Sequence, residues 1–213
     1  MSLPLVKIAL PLGAVGVAGA SGFGIYKGFI EPPTIKGKIL SSEADGFSRF
    51  LPTGDSHWVA IKGEYSKQEA DNKPTENGVV VAATDLPSWC EKTINSYFYE
   101  RETSKFNSVL RWCYVNTNSF RVQAEKLNKT LHADSGDDSA WKNAWDNTYK
   151  NFKADEQWKI SEDNTNLNGD SKDQGGPALK KWCSEKLTTT MFSNGAQKIF
   201  SQFEKFCLKN KVD

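Results

Sequence analysis

Histidine is nearly absent from this chain: His57 and His132 are the only two in 213 residues, and they lie far apart. A metal held by clustered imidazoles, or a histidine base set beside a nucleophile, has little to be built from. An excess of charge is lacking too. The 27 basic residues are balanced by 26 acidic ones, leaving +1, so the electrostatic footprint of a nucleic-acid binder is missing and no nucleic-acid partner is expected. The four cysteines include no C-x-x-C pair. That removes the usual ligand spacing of a structural zinc site and the motif of a thioredoxin-like redox centre. Nor is there a dinucleotide turn. Gly13, Gly16 and Gly19 fall at GxxGxxG spacing inside a uniformly apolar run, whereas that fold needs G-x-G-x-x-G opening an amphipathic helix. No cofactor, metal or catalytic residue is expected, and acidic pairs such as Asp137 with Asp138 read as charge compensation at a helix start.

Aromatic side chains, by contrast, are plentiful: seven Trp, twelve Phe and six Tyr. They supply bulky apolar material for a core. At helical spacing such residues are core before anything else, with a stacking surface for sugars or lipids as the alternative.

From Ile8 to Tyr26 the chain runs nineteen residues without a charge, bracketed by Lys7 and Lys27. That length predicts a transmembrane helix, because about 20 apolar residues cross the roughly 30 Å hydrocarbon core. The lipid bilayer is then a partner through residues 8–26. Gly16, Ala20 and Gly24 stand at the small-xxx-small spacing that lets membrane helices approach closely. A cleaved signal peptide competes with this reading, Ala18-Gly19-Ala20 being its A-x-A site. Lys27, Lys36 and Lys38 after the segment outnumber Lys7 before it, which by the positive-inside bias alone would keep the body cytoplasmic. The cysteines argue for the other side.

Each cysteine directly follows an aromatic residue: Trp89-Cys90, Trp112-Cys113, Trp182-Cys183 and Phe206-Cys207. The first pair is separated by 23 residues and the second by 24. A shift of 93 lays Leu86, Trp89, Cys90, Ile94 and Phe98 over Leu179, Trp182, Cys183, Leu187 and Met191; a shift of 94 lays Phe106, Val109 and Cys113 over Phe200, Phe203 and Cys207. Upstream, Ser56-His57-Trp58 answers Ser139-Ala140-Trp141 at a shift of 83, each followed by a Tyr about two turns later. The chain therefore reads as a duplication. The difference between shifts is assigned to Ser161 to Gly176, a polar run expected to be an enlarged loop.

Apolar residues at i, i+4 and i+8 predict a helix from near Pro87 through Phe98, and Phe106, Val109, Leu110 and Cys113 predict a second helix. A turn at Glu100 to Lys105 makes them a hairpin, and Ser193-Asn194-Gly195 is its counterpart in the second copy. A leading helix is expected at Trp58, Ile61 and Tyr65, and again at Trp141, Ala144, Trp145, Thr148 and Phe152 after a Ser139 N-cap. The run Gly78 to Ala83 has no counterpart and reads as a short strand or buried coil. Four cysteines allow three connectivities, and only the repeat favours Cys90 with Cys113 and Cys183 with Cys207. Closing each loop of about 24 residues would contribute roughly 3 to 3.5 kcal/mol in a chain-entropy treatment.

The opening MSLPLVKIALPLGAVGVAGASG, the DSHW and DDSAW helix starts, and the WC dipeptides of LPSWC, LRWC and LKKWC together resemble the uncharacterised paralogous proteins of haemotrophic mycoplasmas. Phe206-Cys207 departs mildly from the WC pattern. The resemblance implies a wall-less parasite attached to red cells and a body displayed at its surface, as an antigen or host-contact protein. It brings no catalytic residue or cofactor.

The chain is thus expected to be mainly α: a membrane anchor over 1–30, a linker over 31–54, a helical unit over 55–116, a connector over 117–135 and a second unit over 136–213. The expected function is that of a non-enzymatic, membrane-anchored surface protein whose partners are a host surface protein or an antibody. An exported small-ligand-binding or enzymatic domain with a pocket between the units is the alternative.

Overall fold

Thr34 and Ser119 begin the same structure twice. The computed structural model describes residues 31–132, 138–161 and 166–211. In it the Thr34 hydroxyl caps α1 (Ile35–Ser42) by accepting from the Gly37 amide at 3.0 Å. The Ser119 hydroxyl caps α5 (Phe120–Lys126) by accepting from the Val122 amide at 3.3 Å. Each cap satisfies an amide that the first turn leaves without an intrahelical partner.

After α1 come β1 (Arg49–Phe50), α2 (Trp58–Ser66), the hairpin β2–β3 (Thr75–Glu76, Val79–Val80), α3 (Leu86–Ile94), α4 (Thr103–Trp112) and β4 (Tyr114–Val115). After α5 come β5 (Lys129–Leu131), α6 (Asp138–Asn147), α7 (Lys172–Lys186), α8 (Ala196–Cys207) and β6 (Leu208–Asn210). Apart from the β2–β3 hairpin inserted after α2 in the first, both halves run helix, strand, three helices, strand. In each, the last strand returns antiparallel to the first: Phe50 opposite Tyr114, and Leu131 opposite Leu208.

The stretch expected as a linker, 31–54, holds α1 and β1, and the described part of the expected connector, 117–132, holds α5 and β5. These opening elements are held by matching backbone bonds. The Ile35 amide donates to the Ser96 carbonyl at 2.9 Å and the Phe120 amide to Thr189 at 2.8 Å. The Phe98 amide donates to Pro33 at 2.8 Å, and the Met191 amide to Asn118 at 2.9 Å. Only four or five apolar residues in each segment face inward, too few to show a helical period in a sequence window.

Burial follows the duplication. One core gathers Ile35, Ile39, Trp58, Ile61, Tyr65, Leu86, Trp89, Val109 and Trp112; the other gathers Phe120, Ala124, Trp141, Ala144, Tyr149, Leu179, Trp182, Phe203 and Phe206. The leading helix is present in both halves, with Trp58, Ile61 and Tyr65 buried in α2 and Trp141, Ala144 and Trp145 buried in α6. Ser139 is the second residue of α6 and so is not its N-cap. The hairpin helices are shorter than their apolar period: α3 ends at Ile94, and Phe98 leaves it to pack edge-on against Phe106 at 5.1 Å. Tyr97 forms a bridge with Thr34 just past the helix. That pairing takes the chain into extended backbone, so the period that continues in the sequence is not followed by the helix.

Of the run Ser161 to Gly176 expected as a loop, 162–165 lie outside the described residues, 166–170 form turns and bends, and only the last five residues depart from that course by being helical. Leu167 within it is fully buried, and α7 begins at Lys172. The reason is close packing on α6: a Cβ at Gly175 would fall within the Trp145 ring, and one at Gly176 would lie 2.7 Å from Lys142 Cα. Tertiary contact there overrides the poor helix propensity of two glycines. The run Gly78 to Ala83 enters the second strand of a hairpin whose two turn residues, Asn77 at φ 53° and Gly78 at φ 79°, both take the left-handed backbone that such tight turns require. Among the described residues no helix is long and apolar enough to cross a membrane; the apolar segment 8–26 lies outside them.

Candidate functional site

The four cysteines are placed by the helical hairpins. Cys90 sits midway along α3 and Cys113 directly follows α4; they are bonded, with Cα atoms 5.4 Å apart. Cys183 lies in the last third of α7 and Cys207 ends α8; they too are bonded, Cα atoms 5.7 Å apart. All four residues are at most 1% exposed, so each bridge is a core element. The preceding aromatics line the same cores: Trp89, Trp112, Trp182 and Phe206 are all buried.

The halves meet where the α7–α8 loop of the second enters the first. Phe192, 6% exposed, belongs to the first core although it comes from the second half of the chain. Its carbonyl accepts from Arg111 Nη1 at 3.0 Å, and the Arg111 guanidinium covers Trp112 at 4.3 Å from the ring centre. Two residues on, the Asn194 amide donates to Glu64 Oε2 at 3.3 Å. Burial pulls the Arg111 pKa down from the usual guanidinium value, with the Glu64 charge opposing. Hydrogen bonding from Lys67 lowers the Glu64 carboxyl, and the Asn194 amide and the Arg111 charge act the same way against desolvation. The junction is continued by a polar knot. Gln123 Oε1 accepts from both Asn116 Nδ2 and Asn118 Nδ2 at 2.9 Å, and Asn118 Oδ1 accepts from Lys126 Nζ at 3.0 Å.

Beside this junction lies a cleft of about 330 Å³, lined from the first half by Asp45, Ser48, Arg111 and Tyr114 and from the second by Ser193 and Gln197. Its charged groups are already bonded within the protein. Asp45 Oδ1 accepts from the Phe47 and Ser48 amides at 2.8 and 2.6 Å, and Oδ2 from the Ser48 hydroxyl at 2.7 Å. Desolvation raises the Asp45 pKa, but those bonds outweigh it and leave it lowered. Burial, with the Asp45 charge, raises the Tyr114 phenol. No group here is poised as a base or a nucleophile.

The histidines are separate. His57 Nδ1 lies 2.6 Å from Asp55 Oδ1, and Arg49 meets Asp55 Oδ2 at 2.8 Å. The His57 amide and ring, together with Arg49, hold the Asp55 carboxyl down at about 2 against desolvation. This is a closed turn at the start of α2. His132 belongs to the second half, edge-on to Trp141 at 6.4 Å, with Nε2 buried and without a hydrogen-bond partner. Among the described residues no group of three His, Cys, Asp or Glu is arranged to hold a metal ion. The aromatic residues are chiefly core; the space between Phe152 and Trp158 is filled by Lys205, whose Nζ stands 3.4 Å from the Phe152 ring centre and 3.8 Å from that of Trp158.

Phe192, Arg111 and Glu64 were not legible as a junction. Their only signal was the SNG turn that follows Phe192. No family model, curated protein or solved structure matches this chain.

Proposed function

We propose that this chain is a non-enzymatic, membrane-tethered surface protein whose two disulfide-clamped halves form a rigid body presented to host molecules or antibodies. The observation that supports it is the pair of buried disulfides, since such bonds form and persist in oxidising, extracytoplasmic surroundings and are rare where thiols are kept reduced. The uncharged segment 8–26 supplies the tether. Resemblance to the surface proteins of haemotrophic mycoplasmas fits that placement. Protease shaving of intact cells tests it, followed by intact mass of the native protein before and after reduction. Display predicts loss of the body without permeabilising the membrane, and two bonds in the recovered material. Protection until permeabilisation, or four free thiols, would reject it.

The cleft beside Arg111 favours a second reading, an exported small-ligand binder. It is weaker, because Asp45 and Arg111 are engaged by the protein itself. A ligand screen by thermal shift with wild type and Gln197→Trp, which would fill the mouth, separates the two. Stabilisation by a small molecule in wild type alone would favour the binder.

A further inference from the structure

We propose that Asn77-Gly78 is a site of spontaneous modification, at which the Gly78 backbone nitrogen closes on the Asn77 side chain and water opens the ring to aspartate or isoaspartate. Three Asn-Gly steps occur in the chain: Asn77-Gly78, Asn168-Gly169 and Asn194-Gly195. All three share the feature that makes such a step reactive, because glycine has no Cβ to obstruct approach to its nitrogen. The fold holds two of them and leaves the third open.

Asn168 is held through its carboxamide. Its Oδ1 accepts from the Tyr149 hydroxyl at 2.6 Å and its Nδ2 donates to the Ile160 carbonyl at 3.2 Å. Turning its Cγ toward the Gly169 nitrogen would break both bonds, and the Gly169 amide is itself aimed at the Asn166 carbonyl at 3.4 Å. Asn194 is held through its backbone. Its amide donates to Glu64 Oε2 at 3.3 Å, Phe192 two residues earlier is buried in the first core, and Gly195 opens α8, its carbonyl accepting from the Ile199 amide at 3.2 Å. Ring closure at 194 would have to disturb the junction between the halves.

Asn77 has neither restraint. It and Gly78 are the exposed tip of the β2–β3 hairpin, and the four residues that pair beneath them, Thr75 with Val80 and Glu76 with Val79, are exposed as well. The Asn77 carboxamide makes no hydrogen bond among the described residues, and nothing lies within 4 Å of a Cβ position at Gly78. Anchorage comes only at the hairpin base, where the Val81 amide donates to the Pro74 carbonyl at 2.9 Å. A tip with so few buried contacts belongs to the part of a structure that opens most readily. Opening frees the left-handed backbone of Asn77 to bring Cγ to the Gly78 nitrogen.

Ring closure forms a bond between the Gly78 nitrogen and Asn77 Cγ and breaks the bond from Cγ to Nδ2. Nδ2 leaves as ammonia, carrying the proton that the Gly78 amide gives up. Solvent water then adds at one of the two ring carbonyls. Opening at Cγ restores the main chain with aspartate at 77; opening at the α-carbonyl leaves the main chain running through Cβ and Cγ as isoaspartate. Either product sets a new carboxylate beside Glu76, whose own charge is committed to Lys92, and cancels the net charge of +1. The isoaspartate also adds a carbon to the main chain, so a two-residue turn no longer fits Glu76 opposite Val79.

The test uses the full-length chain with both disulfides intact, incubated in mildly alkaline buffer and sampled over days. A parallel sample is reduced and kept unfolded in guanidinium chloride. Cleavage at lysine and arginine puts the three sites on separate peptides, and mass spectrometry reads aspartate and isoaspartate at each. In the folded chain, conversion at 77 should run several-fold faster than at 168 or 194; in the unfolded chain the three rates should converge. Gly78→Ala, which sets a Cβ beside the attacking nitrogen, should slow conversion at 77 several-fold in both samples, with 168 and 194 as internal references. Equal rates at the three sites of the folded chain, or a lead for 194, overturns the proposal. So does aspartate at 77 without isoaspartate, which would mean direct hydrolysis. A folded chain whose Asn77 stays intact while the unfolded chain converts would show the closed turn to be protective, and rejects the proposal too.

Discussion

Tyr149 meets Phe206 edge-on, ring centres 5.0 Å apart at 87°, and Tyr65 makes the same contact with Trp112 at 4.9 Å and 79°. Each pair joins a tyrosine at the end of the leading helix, Tyr65 within α2 and Tyr149 in the single turn just past α6, to the residue before the second bridged cysteine. Wherever the duplication keeps the tyrosine, it also keeps the hydroxyl engaged: Tyr65 donates to the Val81 carbonyl at 2.6 Å and Tyr149 to Asn168 Oδ1 at 2.6 Å. The two differ in one bond. Tyr149 also accepts from the Ile160 amide at 3.1 Å.

That extra bond predicts unequal effects of removing the two hydroxyls. Tyr65→Phe leaves a carbonyl without its donor and should cost about 1 kcal/mol. Tyr149→Phe leaves a buried amide as well as a side-chain acceptor unpaired, and should cost about 2 to 3 kcal/mol. Urea unfolding followed by tryptophan fluorescence compares them; equal midpoints would show that the Ile160 bond carries no weight.

Glycines supply a second contrast. Gly175→Ala has to displace the Trp145 indole, whose Nε1 donates to the Leu167 carbonyl at 2.9 Å, so the turn at Leu167 is disturbed with it. A loss of at least about 3 kcal/mol is expected. Gly63→Ala, within α2 and with nothing near its Cβ position, should instead add about 0.4 to 1 kcal/mol. Thermal melts of the two variants should move in opposite directions.

The parts of this fold that could be read from the chain are those in which one helix face carries large residues at regular spacing. Trp58, Ile61 and Tyr65 announced α2, and the cysteines with their aromatic neighbours announced both clamps, because duplication doubled a signal that either copy alone gives weakly. What escaped notice depends on contacts across the chain. Ile35 and Ile39, or Phe120 and Ala124, are two inward residues on a short helix, and the bonds that hold them run to Ser96 and Thr189. The start of α7 over Gly175 and Gly176 rests on Trp145 and Lys142, thirty residues earlier in the chain, against local propensity. The Phe192 junction is of the same kind: a single aromatic in a polar loop, informative only once its socket is seen.

His132 makes stability depend on pH. Burial and the nearby Lys209 charge depress its pKa below the ordinary value, so the folded protein keeps the ring neutral where the unfolded chain would protonate it. The stability associated with this group is complete above the unfolded pKa of about 6.5 and is lost as pH falls through the folded pKa. Wild type should melt at a lower temperature at pH 5.5 than at pH 7.5, and His132→Phe should reduce that difference. An unchanged difference in the variant would place the pH dependence elsewhere.

Phe192 decides whether the halves unfold as one. Its side chain fills a place in the first core, while its backbone belongs to the loop between α7 and α8, so each half contributes to the stability of the other through this residue. Phe192→Ala should cost about 3 to 5 kcal/mol if the hollow stays open. Truncating Arg111 removes the donor to the Phe192 carbonyl and the cover over Trp112, so its effect should not add to that of Phe192→Ala. Since each half keeps its own disulfide and core, weakening the junction should separate one cooperative transition into two. Calorimetry of wild type, Phe192→Ala, Arg111→Ala and the double variant reads both quantities. A single sharp transition in every variant, with additive losses, would mean that coupling between the halves resides in the Asn116, Asn118 and Gln123 knot.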